Sequence, residues 1–367
     1  MEILFYFATI IIVSFLSIWI EKKINFCIRR KREHTNVIFP KKEKEQIVIK
    51  TPYVIKTHTD ADGAGPAILA KHFFGIDNVT IFSTPNNVMD KTIKEIMEWD
   101  IQCPTTIFIT DISCSLETAK ELETWLEKRD DVKIVLLDHH KTALSLNEVS
   151  FCKVMVEKDE NSLPILSNTS NGYGLSCGTS LFYEYVTQTL GYARTDILDE
   201  YVNIVTAYDT WMWKTHFGSD ELYSKWDAFF HLLGWDLYIE KVLEKIKNND
   251  LSFNDYDEYA FSIDSIKRDA TIQRKLNQLY FIKWKGYNTC FVQVDDYLGD
   301  VYSAIFETYE NVDIVAMVTP TSVSLRSIRD DVDVSKVAKS FGGGGHTQAA
   351  GFRIGWEKTK EYYWMFR

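Results

Sequence analysis

No two cysteines in this 367-residue chain are spaced as CxxC. The six that occur (Cys27, Cys103, Cys114, Cys152, Cys177, Cys290) are scattered, which fits reduced thiols in a cytosolic compartment better than a zinc site or a disulfide framework. Positive charge is also scarce, with a formal net charge of -11. A long duplex ligand needs clustered Lys and Arg to neutralise its backbone, so the balance argues against that partner. A short nucleic acid stays open, because metal ions supply positive charge locally. Internal repeats and long low-complexity tracts are absent. A hydrophobic share of 46% and a charged share of 25% argue against global disorder.

One long apolar run is present. Ile3 to Ile20 carries no charge and spans roughly 27 Å as a helix, close to the hydrocarbon thickness of a bilayer. Lys22, Lys23, Arg29, Arg30, Lys31 and Arg32 follow it, whereas only Glu2 is charged ahead of it. The positive-inside tendency then leaves the bulk of the protein in the cytoplasm. A cleaved secretory signal would need a basic start and a small-residue cleavage site, and neither is seen. The expected order is a transmembrane anchor over residues 1–21 and a basic juxtamembrane linker over 22–49.

From Ile47 onward, short β-branched runs alternate with helical spacing. The strands expected are Tyr53–Thr57, Val79–Ser83, Thr105–Thr110 and Lys133–Leu137; Pro66–Phe74, Lys91–Trp99 and Leu116–Lys128 are expected helices. Such alternation predicts an α/β domain with a parallel sheet, here residues 50–215, with ligands gathering beyond the C-terminal ends of the strands. Helices are expected over Gly178–Leu190 and Asp196–Ala207, the second delivering Asp209 just past its end. Residues 216–286 read as a polar helical connector. A smaller α/β lobe over 287–356 would hold strands Thr289–Val294, Asp313–Val318, Ser322–Arg326 and Phe352–Ile354, with helices Tyr302–Tyr309 and Val334–Ser340.

The chemistry concentrates in His58, Asp60, Asp62, Asp111, Asp138, His139, His140 and Asp209. Alternation along a strand end would let His58, Asp60 and Asp62 converge, and Gly63 permits the tight turn into the next helix. Two divalent cations about 3.5–4 Å apart need several anionic oxygens, one of them shared. Asp111, after the apolar run Ile107–Thr110, is the natural bridge, with His139 and Asp209 completing the ligands of the second ion. Singly, a strand-end Asp is usually a cap or turn residue. Jointly, HxDxDG, a strand-end Asp, DHH and a later Asp in this order make a two-metal, phosphate-hydrolysing site the reading to test. His72, His216 and His231 read as ordinary surface or core histidines.

The segments THTDADG, ITDIS, LLDHHKT and YDTW resemble the four motifs of the DHH phosphoesterase superfamily, and SLRS…FGGGGHTQAAGF resembles its C-terminal DHHA1 domain. The likeness covers about Thr51 to Ile354. Within the superfamily, LLDHHKTALSLNE and YDTWMW with the following WDAFFHLL look closest to nanoRNase B-type oligoribonucleases. The resemblance implies that His58, Asp60 and Asp111 hold one ion and Asp62, Asp111, His139 and Asp209 the other. His140 would contact the scissile phosphate, and Asp138 would orient the imidazoles. Mixed imidazole and carboxylate ligation suits Mn²⁺, with Co²⁺ or Mg²⁺ as substitutes. In the second lobe Arg326, Ser327, Gly343, Gly344, Gly345 and His346 would grip the nucleotide portion distal to the cleaved bond.

The expected reaction is hydrolysis of short oligoribonucleotides or dinucleotides to nucleoside 5′-monophosphates, running 3′ to 5′ by the same resemblance. A cyclic-dinucleotide or 3′,5′-bisphosphate nucleotide phosphohydrolase is the alternative. Val37–Lys50 is too short for the sensory domain that usually precedes the former. A single-strand exonuclease would need extra binding modules, and a type II pyrophosphatase would lack the GGGH element. A catalytically silent nucleotide receptor would have no need of every ligand. Tyr208, Trp211 and Trp213 beside Asp209 are read as core aromatics, and the sequence leaves the oligomeric state open.

Overall fold

In the computed structural model, described over residues 46–85, 89–157, 175–210, 212, 221–345 and 347–354, the expected alternation produces a parallel sheet at the start of the chain. The strands are β1 (Val48–Ile49), β2 (Tyr53–Thr57), β3 (Val79–Ser83), β4 (Asp100–Ile101), β5 (Thr105–Thr110), β6 (Val132–Asp138) and β7 (Cys152–Val154). β1 and β4 make a small parallel pair, and the other five form one parallel sheet in the order β3-β2-β5-β6-β7. The helices that accompany them are α1 (Ala61–Phe74), α2 (Met89–Lys94), α3 (Leu116–Leu126), α4 (Gly178–Glu184) and α5 (Asp196–Asp209).

Strand alternation explains the two cores. Ile55 and Phe108 point to one face and pack with Ile68, Phe182 and Tyr201 from α1, α4 and α5. Their neighbours Val54, Ile107 and Ile109 point to the other, against Ile93, Ile96 and Leu122. With both faces covered, the strands can be continuous apolar runs. The chain leaves β2 toward β3 and later returns to β5 on the opposite side of β2. That reversal opens a crevice beyond the C-terminal ends of β2 and β5, the place where open α/β sheets bind ligands.

Two long helices follow, α6 (Glu221–Lys247), bent at Gly234 where φ is 69°, and α7 (Asp255–Leu276). The expectation of a polar connector is corrected here. Trp226, Phe229, Phe230, Tyr238, Ile239, Val242 and Ile246 of α6 are buried in the same core as β2 and α1. Apolar residues on two faces of one helix obscure its pattern in sequence, because no single stripe stands out. α6 is therefore part of the first lobe.

The second lobe holds β8 (Tyr280–Trp284), β9 (Tyr287–Gln293), β10 (Ile314–Val318), β11 (Ser322–Arg326), β12 (Gly344–Gly345) and β13 (Ala349–Arg353) in the order β12-β13-β11-β10-β9-β8. Only β9 and β10 run parallel; α8 (Leu298–Thr308) crosses between them and packs Val301 and Ile305 on one face of the sheet. α9 (Val334–Lys339) covers the other face with Val334, Val337 and Ala338. Because β8 belongs to this sheet, the lobe begins ahead of the predicted residue 287. Several other bounds shift: the helix predicted from Pro66 starts at Ala61, the one over Lys91–Trp99 is α2 followed by a 3₁₀ turn, and β7 was not foreseen.

Among the described residues no helix is long and apolar enough to cross a membrane. The predicted anchor Ile3–Ile20 and the basic linker up to Glu45 lie outside the described residues, as do Trp211, Trp213, His216 and His346.

Candidate metal centre

The residues expected to bind metal come together at the crevice between β2 and β5. Their route there differs from simple strand alternation. β2 stops at Thr57, and His58 sits in the turn that follows. Asp60 is the N-cap of α1, accepting from the Gly63 N–H through Oδ1 at 2.9 Å. Asp62 lies in the first turn of that helix. A Cβ on Gly63 would stand 2.4 Å from the His58 carbonyl oxygen, so the turn closes only without one. The Thr57 hydroxyl donates to the Gly63 carbonyl at 2.9 Å and fixes the same turn.

Asp60 uses its other oxygen, Oδ2, to meet His58 Nδ1 at 2.6 Å, and the same nitrogen is 3.8 Å from Asp111 Oδ2. On the far side, His139 Nε2 is 3.2 Å from Asp111 Oδ1 and 3.8 Å from both Asp62 Oδ2 and Asp209 Oδ2. His58, Asp60 and Asp111 thus form one clustered set, and Asp62, His139 and Asp209 a second. Asp111 turns one carboxylate oxygen toward each. Asp209 closes the last turn of α5 instead of following it.

Asp111 is held where a carboxylate is costly. It is 2% exposed, its backbone is left-handed at φ 56°, and its Oδ2 is buried with no hydrogen-bond partner. Burial pushes its carboxyl well above the ordinary range, and Asp62, Asp60, Asp209 and Asp138 push it the same way. Asp209 is raised as well, by burial first and Asp62 next, against the partial relief of His139. Burial opposes ionisation of Asp60 too, but the hydrogen bond and charge of His58 outweigh it and leave that carboxyl below its usual value. An orphaned buried oxygen amid converging acids and imidazoles is a donor set fit for hard-to-intermediate divalent cations.

Asp62 shows a feature sequence reasoning missed. Its two oxygens accept backbone N–H groups from Gly178 at 2.6 Å and Thr179 at 2.8 Å, at the start of α4, and its own carbonyl accepts the Thr179 hydroxyl at 2.8 Å. The start of α4 therefore orients this carboxylate. Gly178 has to be glycine, since a Cβ there would lie 2.5 Å from Asp111 Cβ. The small-residue stretch Ser176-Cys177-Gly178-Thr179 was the only local hint.

Asp138, fully buried at the end of β6, faces the other imidazole. Its Oδ1 meets His140 Nδ1 at 2.7 Å and accepts the His139 N–H at 2.9 Å, while Oδ2 accepts the Ser113 hydroxyl. Burial alone would raise this carboxyl; the charge and hydrogen bond of His140, with His139 and Ser113, bring it down to about 2. Burial likewise works against the His140 cation, but Asp138 chiefly, then Asp209 and Asp62, lift it to about 9. Ser113, inside the ITDIS segment, is thus a second residue that only the fold assigns to the site.

Beside the ligands lies a cleft of about 120 Å³ whose walls include Asp60, Asp62, Tyr208, Asp209, Asp227 and His231. His231 Nε2 is 3.4 Å from Asp227 Oδ1 at the rim of this cleft, with its side chain 69% exposed, as expected of a surface histidine. Burial and Asp227 raise the Tyr208 phenol, with Asp300 and Tyr302 of α8 adding to it. Arg326 packs its guanidinium 5.6 Å from the Tyr302 ring and donates to the Leu325 carbonyl at 3.0 Å. Ser327 is buried, its hydroxyl donating to the Asp313 carbonyl at 2.8 Å. Gly343 and Gly345 press against β13, where a Cβ would meet the Gly351 carbonyl at 2.0 Å and the Ala349 carbonyl at 2.5 Å; Gly344 faces open space.

These shifts set a pH dependence for the metal-free protein. Carboxyls whose folded pKa is raised add stability that is complete below the unfolded value of about 4 and lost as pH rises through the folded one. His140, raised to about 9, acts in the same direction above its unfolded value. The melting temperature in chelator is therefore expected to fall from pH 5 to pH 8, and Mn²⁺ to remove most of that fall. Scanning fluorimetry across that window checks it; a chelated protein whose midpoint climbs with pH contradicts the reading.

No family profile matches the chain. Among characterised proteins, "Oligoribonuclease NrnB" of Bacillus subtilis (strain 168) is 29% identical over 319 residues, which is 86% of this chain and 75% of that protein. Among solved structures, exonuclease RecJ bound to manganese aligns with a TM-score of 0.48 and 16% identity, over 85% of this chain and 88% of that one. The pGpG-specific phosphodiesterase PggH from Vibrio cholerae aligns at a TM-score of 0.41 and 13% identity, over 85% and 97%. Two carboxylate–imidazole sets that meet at Asp111, built from the HxDxD, strand-end Asp, DHH and later Asp elements, together with that relative, support the likeness to the DHH/DHHA1 phosphoesterase superfamily, on its nanoRNase B-like side.

Proposed function

We propose that this protein is a two-metal exoribonuclease that degrades short oligoribonucleotides, dinucleotides included, to nucleoside 5′-monophosphates. The observation that carries the proposal is Asp111, which offers one oxygen to each ligand set and leaves Oδ2 buried without a partner. The likeness to a protein named as an oligoribonuclease supports the substrate class. His58, Asp60 and Asp111 would hold one ion; Asp62, Asp111, His139 and Asp209 would hold the other. Mn²⁺ suits the mixed nitrogen and oxygen donors best. When bound, such a pair of ions acidifies the attacking water and neutralises charge on the phosphate.

The chain's own groups do the rest. Asp138 and Ser113 aim the His140 imidazole, whose other ring nitrogen would donate to a non-bridging phosphate oxygen as charge builds there. Gly178 and Thr179 keep Asp62 turned toward the crevice. The cleft wall at Tyr208, Asp227 and His231 bounds the nucleotide that is released. Arg326 and the glycine turn around Gly344 take the distal nucleotide, and the space between the lobes limits substrate length. Ile3–Ile20 and the basic cluster after it would hold the enzyme at the cytoplasmic membrane face, which fractionation and protease protection of the full chain would check.

The discriminating experiment gives the full chain, with Mn²⁺, labelled RNA dimers to pentamers, cyclic dinucleotides, a 3′,5′-bisphosphate nucleotide and pyrophosphate. Dimers to pentamers are expected to be cleaved fastest, releasing nucleoside 5′-monophosphates, with the 5′-terminal residue left as a nucleoside where it carries no 5′-phosphate. A cyclic dinucleotide or the bisphosphate turned over faster than any linear RNA would replace this reading with the alternative. In the same assay Arg326→Ala is expected to raise KM about tenfold with kcat little changed, the loss of one charge-assisted contact. An unchanged KM removes Arg326 from the site.

A further inference from the structure

α7 is apolar on two faces, and among the described residues only one is covered. Phe261 packs edge-on against Phe229 and Phe253, and Ile272 and Leu276 lie on the α8 cluster. On the opposite face Tyr256, Tyr259, Ile263 and Ile266 are 87%, 70%, 51% and 71% exposed. Their spacing is 3-4-3, and Ala270 and Gln273, also exposed, continue it. These six residues occupy the a and d positions of three consecutive heptads. An apolar seam of that period facing water is the pattern of a helix that pairs with another helix along its length.

The edges of the seam identify the partner. Asp255, Ser262 and Asp269 fall on the g edge, whereas Ala260, Lys267 and Arg274 fall on the e edge. One edge is acidic and the other basic. A two-fold axis along the helix sets g of each copy against e of the other, five residues further on. Asp269 then meets the partner's Arg274, and Ser262 meets the partner's Lys267. An antiparallel pair would set like edges together, with Asp255 against the partner's Asp269 and Lys267 against the partner's Lys267. The pattern is self-complementary in one orientation only. We infer that α7 pairs with α7 of a second copy of this chain, in parallel, to form a two-fold homodimer.

The same geometry fixes the contacts. At a positions Ile263 faces the partner's Ile263 and Ala270 the partner's Ala270; at d, Ile266 faces the partner's Ile266. The side chain of Asp269 is 69% exposed and free to reach across, its nearest cation on its own chain being Arg268 at 3.7 Å. None of these residues lies in the metal centre or the cleft, so hydrolysis by each copy is independent of the pairing.

The test is the mass of the full chain in detergent at micromolar concentration, by light scattering after gel filtration. Wild type is expected at twice the chain mass. Ile263→Asp with Ile266→Asp is expected at the single-chain mass, with unchanged circular dichroism and unchanged Mn²⁺-dependent melting. Asp269→Arg alone and Arg274→Asp alone should each weaken dimerisation about tenfold, and the two together restore it. Ala270→Cys should give a disulfide-linked dimer on mild oxidation that wild type does not give. A monomeric wild type, or a dimer indifferent to the Ile263 and Ile266 changes, overturns the proposal and leaves the chain's own residues 1–45, a lipid surface or another protein to cover the seam. Dimers lost in the isoleucine variant but blind to the charge swaps, with no disulfide link in Ala270→Cys, overturn the parallel arrangement.

Discussion

Asp111→Asn is expected to remove at least about a thousandfold of Mn²⁺-dependent turnover, the several kcal/mol that a shared ligand between two cations supplies. The substitution isolates chemistry from folding for two reasons. Asn is among the few side chains that tolerate the left-handed backbone found here at φ 56°. It also deletes a buried charge that Asp62, Asp60, Asp209 and Asp138 all repel. The metal-free variant should therefore melt at or above the wild-type temperature while losing most of its metal uptake. Calorimetric Mn²⁺ titration and single-turnover hydrolysis of an RNA dimer read the two effects separately. Retention of more than about a tenth of the activity would exclude the shared-ligand role.

Gly178→Ala is expected to damage the enzyme almost as severely, although Gly178 offers no side chain. The added Cβ would stand 2.5 Å from Asp111 Cβ and 3.1 Å from Asp62 Oδ2. One of three groups has to move: α4, Asp111 or Asp62. Any of these displacements misplaces a ligand by a fraction of an ångström or more, and misplacement on that scale costs about a hundredfold in rate. Stability should drop by about 1–3 kcal/mol, as for other overpacked sites. Gly299→Ala serves as the control, since a Cβ there meets nothing within 4 Å. Normal turnover in Gly178→Ala would show that the start of α4 does not set the Asp62 carboxylate.

Much of this protein was legible in its sequence. β2, β3 and β5 have the bounds that their β-branched runs predict, because strand period and chain-breaking residues are local properties. The acids and imidazoles stand out for the same reason: each belongs to a short segment whose spacing can be read without knowing its neighbours in space. Their convergence at the ends of β2, β5 and β6 follows from the general rule for parallel sheets. The glycine turn was less legible. Gly343 and Gly345 serve close packing against β13, and a run of four glycines looks the same whether it cradles an anion or lets two strands touch.

The sequence by itself determined which side chains meet and in what kind of fold, since motif spacing and hydrophobic period are written along the chain. Only the tertiary structure decided how they meet. Asp62 is aimed by Gly178 and Thr179, 116 and 117 positions away; Asp138 is clamped by Ser113; α6 is drawn into the first core, with Asp227 and His231 on its cleft side. Those outcomes depend on partners brought close by folding, and hydrogen bonds and steric limits act across space without leaving a period in the chain.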